Sequence, residues 1–257
     1  MDNGDFETAD LETHQLLVDI HKVIGSKERK YSVSASRPSL FQPRAYMLRG
    51  MTLLHLERTE EALHALQMAL THKPDDHISQ HLTSVALMGL KRYPEALVAA
   101  QRAIELQPKS SSSRTLMGMI LIKSGREREA ITLLEQSVAM GSHDAIAKLE
   151  LAWLLATDSS PEFRDGQRAL ILSREVTQMI GRGNYRTLDA MAAAYAASGN
   201  FEDAITTANK ALLDLKQQIE NGSAEATNRG VVHSNLKNIK ERLDHYKDGS
   251  IWCRPTS

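Results

Sequence analysis

Four places in the chain hold residue types that could do chemistry. Gly181-Arg182-Gly183-Asn184 is the nearest approach to a glycine-rich phosphate loop. A phosphate cradle follows a strand and carries a Lys-Ser/Thr pair, whereas this run follows a helical pattern and lacks that pair, so it reads as a turn. His77 and His81 stand at i, i+4, the spacing of two metal ligands on one helix face, with His72 and His55 nearby. A closed zinc site needs four ligands, and no acidic or cysteine ligand stands in register, so both read as polar helix positions. The serine run Ser110–Ser113 precedes a helical pattern and supplies an N-cap. A serine nucleophile would need a partnered histidine and an oxyanion hole, which the sequence does not identify. Cys253 is the only cysteine, which excludes an intramolecular disulfide and a cysteine-based metal cluster. It lies in a segment expected to fray. The expectation is a chain with no catalytic residues, no metal and no cofactor.

The bulk chemistry points the same way. The chain has 257 residues, 42% of them apolar, enough for a continuous core. Its 31 Lys and Arg against 32 Asp and Glu leave a net charge of −1. Such a balance provides no general attraction for nucleic-acid phosphate or anionic lipid, so neither is expected as a partner. No stretch reaches the 18 or more uncharged apolar residues of a membrane span. The first ten residues are acidic and lack the basic and apolar regions of a secretory signal. A cytoplasmic, monomeric protein is the expectation.

What must position any functional side chain is a repeat of 34 residues. Ala62, Ala96 and Ala130 are spaced by that interval, as are Leu53, Leu87 and Leu121, and Gly50, Ser84 and Gly118. Ala69, Ala103 and Ser137 keep the register, and Pro74 and Pro108 close the first two units. Ala169 and Ala204 continue the alanine series after an insertion of about five residues within 157–166, where Ser-Ser-Pro and Asp-Gly signal a loop. A period of this length describes paired helices stacked into an array. Small residues let antiparallel helices approach to the short end of the ~8–10 Å packing range, and stacked neighbours bury what one hairpin cannot. Gly125 and Gly199 stand where a first helix needs a left-handed stop. Pro94 stands at a first helical position.

This register resembles the tetratricopeptide-repeat (TPR) family, whose hairpin pattern carries small residues at unit positions 8, 20 and 27 and a large one at 11. The resemblance covers 43–216, with units beginning near 43, 77, 111, 145 and 185. It implies an all-α, right-handed solenoid of about five hairpins. Residues 217–257 form a capping helix and tail, in which Val232, Leu236, Ile239, Leu243 and Tyr246 make one apolar stripe. Residues 1–42 hold one amphipathic helix (8–24) and a Ser-, Lys- and Arg-rich linker. Within the family, Leu151-Ala152-Trp153-Leu154-Leu155-Ala156-Thr157 and Asp165-Gly166 look most like bacterial TPR arrays appended to signalling proteins such as kinases.

The resemblance also implies where a partner binds, because TPR grooves are lined by the first helix of each unit at positions 2, 5, 9 and 12. In this chain the groove candidates are Met47, Met51, His81, Val85, Met88, Thr115, Met119, Lys123, Trp153, Arg186 and Asp189. The expected groove is apolar and methionine-rich, with Trp153 as an anchor. The carboxylate-clamp pattern of TPR co-chaperones is absent, since Met47, Met51, Leu82, Ser112 and Leu116 occupy its positions. The expected function is a non-enzymatic adaptor that receives a helical or extended apolar segment of a protein or peptide. A regulatory region of a larger signalling enzyme is the alternative, and an RNA-binding helical repeat is a third reading.

Overall fold

A computed structural model describes residues 42–141, 144–181, 183–221 and 229–254. The helix and linker expected within 1–42 lie outside the described residues, apart from the last of them, Gln42. The fold is all-α. Its helices are α1 (Gln42–His55), α2 (Thr59–His72), α3 (His77–Gly89), α4 (Tyr93–Leu106), α5 (Ser111–Lys123), α6 (Glu127–Ala139), α7 (Ala145–Thr157), α8 (Gly166–Met179), α9 (Tyr185–Ala197), α10 (Phe201–Glu220) and α11 (Arg229–Lys247). A 3-10 turn, Pro161–Phe163, sits between α7 and α8. The described residues divide into two compact units, one up to Pro108 and one from Lys109.

The first unit contains the hairpins α1/α2 and α3/α4, stacked through α2 on α3 and α1 on α3. The second contains α5/α6, α7/α8 and α9/α10, with α11 packed on α10 and touching α9. Each unit shows the hairpin stacking of a tetratricopeptide solenoid, two hairpins in the first and three with a C-terminal capping helix in the second. Four of the first helices are started by an acidic, amide or hydroxyl cap. Asp76 accepts from the Ser79 amide at 3.0 Å, Ser110 from Ser113 at 3.2 Å, Asp144 from Ala147 at 3.0 Å, and Asn184 from Thr187 at 3.0 Å. Asn184 therefore gives the glycine-rich 181–184 run a capping job, while Gly181 turns the chain at φ +76°.

Inside each hairpin the small residues permit contact. A Cβ added at Gly50 would lie 2.5 Å from Leu66 Cγ, and one at Gly118 would lie 3.0 Å from Leu134 Cγ. Ser84, at the same place in its hairpin, instead donates its hydroxyl to the Ala96 carbonyl at 2.9 Å. Ala62, Ala96, Ala130, Ala169 and Ala204 all have no solvent exposure. The turn after the first three first helices recurs too. Residues 57, 91 and 125 share a left-handed conformation, held by Glu57 (φ 57°), Lys91 (φ 60°) and Gly125 (φ 77°). Each following second helix opens with the same exposed ion pair: Arg58–Glu61, Arg92–Glu95 and Arg126–Glu129.

In the second unit the core runs through Ala192, Ala196, Ala208, Ala211 and Leu215 into Ile239, Leu243 and Tyr246 of α11. Val232 is also buried and Leu236 is half-buried, so the apolar stripe of α11 closes the last hairpin.

Candidate partner-binding surfaces

The first helices of the first unit place five of the candidates together. Met47 and Met51 lie one turn apart on α1, and His81, Val85 and Met88 lie on the neighbouring α3. All five are half-buried, so each keeps part of its side chain in water. Burial pushes the His81 imidazole below its ordinary pKa, with the charge of His77 a smaller contribution in the same direction. His77 and His81 thus share one end of α3 as polar helix residues. Among the described residues, no group of three or more His, Cys, Asp or Glu gathers in metal-binding geometry.

The second unit is built differently from the apolar groove the sequence suggested. A cavity of about 520 Å³ opens among α7, α9 and α11, and much of its lining is polar: Lys123, Glu150, Arg186, Asn235 and Asn238. Arg186 reaches Glu150 at 3.3 Å, and Asn235 donates to the Tyr185 hydroxyl at 3.2 Å. Lys123 is exposed, and Met119 on α5 is half-buried.

Two candidates have internal jobs. Thr115 is buried, with its hydroxyl 2.8 Å from Ser137 Oγ and donating at 2.7 Å to Asp144 Oδ2. It therefore steadies the residue that caps α7. Asp189 is also buried and accepts a forked pair of hydrogen bonds from Arg242 of α11, one of them at 3.0 Å from Nε. A carboxylate matched in that way offers nothing to a partner while the fork stands. Desolvation still pushes the Asp189 carboxyl up, against the opposing charge of Arg242.

Trp153 lies on the floor beside this pair and is half-buried. The Arg242 guanidinium stands 5.0 Å from its ring and 5.3 Å from the ring of Trp252, within cation–π range of both. The two indoles are 6.0 Å apart at 40°. Trp252 belongs to the segment after α11 that was expected to fray, and here the expectation is corrected. Residues 251–254 are half-buried and pack back onto the second unit. The Arg254 amide donates to the Thr157 carbonyl at 3.0 Å, and its Nη1 donates to Glu127 Oε1 at 2.6 Å. The physical reason is that α7 ends with unpaired carbonyls, which attract a donor and a positive charge. Cys253 is half-buried in the same segment, its sulfur 3.9 Å from the Ile251 carbonyl. The signal for this docking was Trp252 and Arg254 two residues apart, but no local periodicity says what they would touch.

Capped first helices, small-residue contacts within hairpins and a closing helix define the class: the chain has the fold of a tetratricopeptide-repeat solenoid. A tetratricopeptide-repeat family model matches residues 47–111. No curated protein matches the chain. Among solved structures, a thermophilic TPR protein of Thermus thermophilus is 16% identical, over 76% of this chain and 99% of its own, with a TM-score of 0.56. YrrB, described as a TPR protein with an unusual peptide-binding site, is 18% identical over 75% and 90%, with a TM-score of 0.52. The Cut9–Hcn1 hetero-tetramer of the APC/C matches over 93% of this chain and 45% of its own, at 15% identity and a TM-score of 0.63. At these identities the likeness is one of fold. Among the described residues, no helix is long and apolar enough to cross a membrane.

Proposed function

We propose that the chain is a non-enzymatic interaction module, acting in the cytoplasm, that holds an apolar helical or extended segment of a partner protein. The observation that carries this is the row of half-buried apolar side chains on two adjacent first helices, Met47 and Met51 with Val85 and Met88. Methionines left partly wet at helix surfaces form contacts that re-pack around different partners. His81 sits among them and supplies a polar point of register. In the second unit, the exposed Lys123 and Arg186 and the half-buried Met119 line first-helix positions where a partner's polar groups fit. Asp189 and Arg254 there are engaged in ion pairs within the chain, with Arg242 and Glu127. A TPR protein with a peptide-binding site and a hetero-tetramer among the structures of similar fold accord with this reading.

The test is selection from a display library of random peptides on the wild-type chain, followed by titration against Met51→Glu and Met88→Glu. Selected peptides should share apolar anchors. Each substitution should weaken them by about thirtyfold, the effect of losing ~2 kcal/mol at an interface, with an unchanged thermal melt. Peptides that bind both variants as well as wild type would place the binding surface elsewhere.

A further inference from the structure

The second unit carries a built site for a short segment presenting an indole and, two residues later, an arginine. Residues 252 and 254 of the chain occupy it. The arginine end is formed where the 34-residue register breaks. The insertion after α7 puts Asp158 and the 3-10 turn beside the α7 terminus, and Phe163 anchors the turn, its ring 4.2 Å from the Arg128 guanidinium. Asp158 is buried, with Oδ1 accepting from the Ser160 amide at 2.8 Å. Glu127, at the start of α6, faces the same place and takes the direct bond from Arg254. Carboxylates of Glu127, Asp158 and Glu150 all favour the Arg254 cation, against the desolvation that pulls its pKa down. The Thr157 carbonyl fixes the backbone of the incoming residue.

The indole end is equally specific. Trp252 lies against Trp153 and the Arg242 guanidinium, and its Nε1 points to Glu241 Oε1 at 3.4 Å. A cavity of about 410 Å³, lined by 125–129 and 158–160, opens beside Glu127. The residues between α11 and this segment are few. Gly249 ends α11 at φ +66°, and Ser250 closes the turn on the His245 carbonyl at 2.9 Å.

We infer that this surface is an exchangeable peptide site for an extended aromatic-X-arginine segment of a partner protein, with residues 251–254 as its built-in occupant. The inference rests on the reading of the first-helix faces as binding surfaces and specifies both the ligand chemistry and its regulation for the second unit. A tethered occupant acts at an effective concentration near the millimolar range, so a free segment must compete with it. Residues 251–254 therefore set a threshold that only a tighter or locally concentrated partner passes.

The experiment uses the full chain and, as probe, a fluorescent peptide of residues 250–257 carrying Cys253→Ser. Anisotropy titrations compare the wild type with the double variant Trp252→Ala, Arg254→Ala. The double variant should bind the peptide at least about tenfold more tightly than wild type, because its own segment no longer competes. Adding Glu127→Lys to the double variant should abolish that binding, and so should Arg254→Ala in the peptide. Absence of saturable binding to a normally melting double variant overturns the inference, as does equal binding to wild type. Native-state hydrogen exchange of the wild type gives a measurement independent of these variants. The Arg254 amide should exchange more slowly than in the free peptide, yet well before the amides of α7, through local release. Protection equal to α7, or none, also overturns it. These outcomes are independent of the peptide selection on Met51 and Met88, so each reading can fail alone.

Discussion

Arg242 grips Asp189 through both of its forked nitrogens, joining α11 to α9 with both side chains removed from water. The same guanidinium lies within 5.3 Å of two indole rings, so one cation ties the capping helix, the first-helix face and the 251–254 segment. Such a group is costly to leave alone.

Removing the carboxylate should show that cost. Asp189→Ala strands a buried guanidinium and should destabilise by about 3–5 kcal/mol, while Asp189→Leu with Arg242→Leu should recover most of the loss. Urea unfolding of Asp189→Leu, Arg242→Leu and their double gives the coupling. A single variant as stable as wild type would mean that the pair is open to water in solution.

Tyr246 predicts an alkaline effect. Burial first, and the Asp189 charge second, push its phenol well above the ordinary value, with Arg242 opposing in part. The folded state then holds its proton where the unfolded chain, near pKa ~10, releases it. The contribution is fully present below about pH 10 and is lost as pH rises toward the folded value. Tyr246→Phe should show a shallower decline of stability above pH ~10 than wild type. At neutral pH it should cost little, since the buried hydroxyl has no hydrogen-bond partner among the described residues. Parallel decline curves for the two proteins would reject this.

The hairpin contacts predict an order. Gly50→Ala pushes a methyl to 2.5 Å from Leu66, and Gly118→Ala pushes one to 3.0 Å from Leu134, so the first should cost more. Ala130→Leu, at a position with no exposure, should cost about 1–3 kcal/mol through overpacking. Thermal melts rank all three, and a reversed glycine order would show that Leu66 relaxes more easily than Leu134.

The left-handed turn residues predict a gain. Lys91 holds φ 60° where the next repeat has Gly125. Side chains other than glycine lose about 1–2 kcal/mol there, and glycine gives back part of that through its freer unfolded state. Lys91→Gly should therefore stabilise by roughly 0.5–1 kcal/mol in urea unfolding. Destabilisation would mean that the Lys91 side chain makes a compensating contact.

Sequence by itself determined the repeated part of this protein. A 34-residue interval between alanines is a direct consequence of one helix contact built again and again, so Ala62, Ala96 and Ala130 betray their burial without coordinates. The stripe of Val232, Ile239, Leu243 and Tyr246 likewise declares a helix with one face to bury. Tertiary structure decided what is made once. Asp189 and Thr115 stand at first-helix positions expected to face a partner, yet each is consumed by a residue far away in the chain, Arg242 and Asp144. Trp153 meets Trp252 and Arg242, and Arg254 meets Glu127 across 127 positions. Helical periodicity reports neighbours three or four residues apart. Where a single residue from a distant segment lands is set by how α11 packs on α9 and α10, and by the carbonyls that the α7 terminus leaves open.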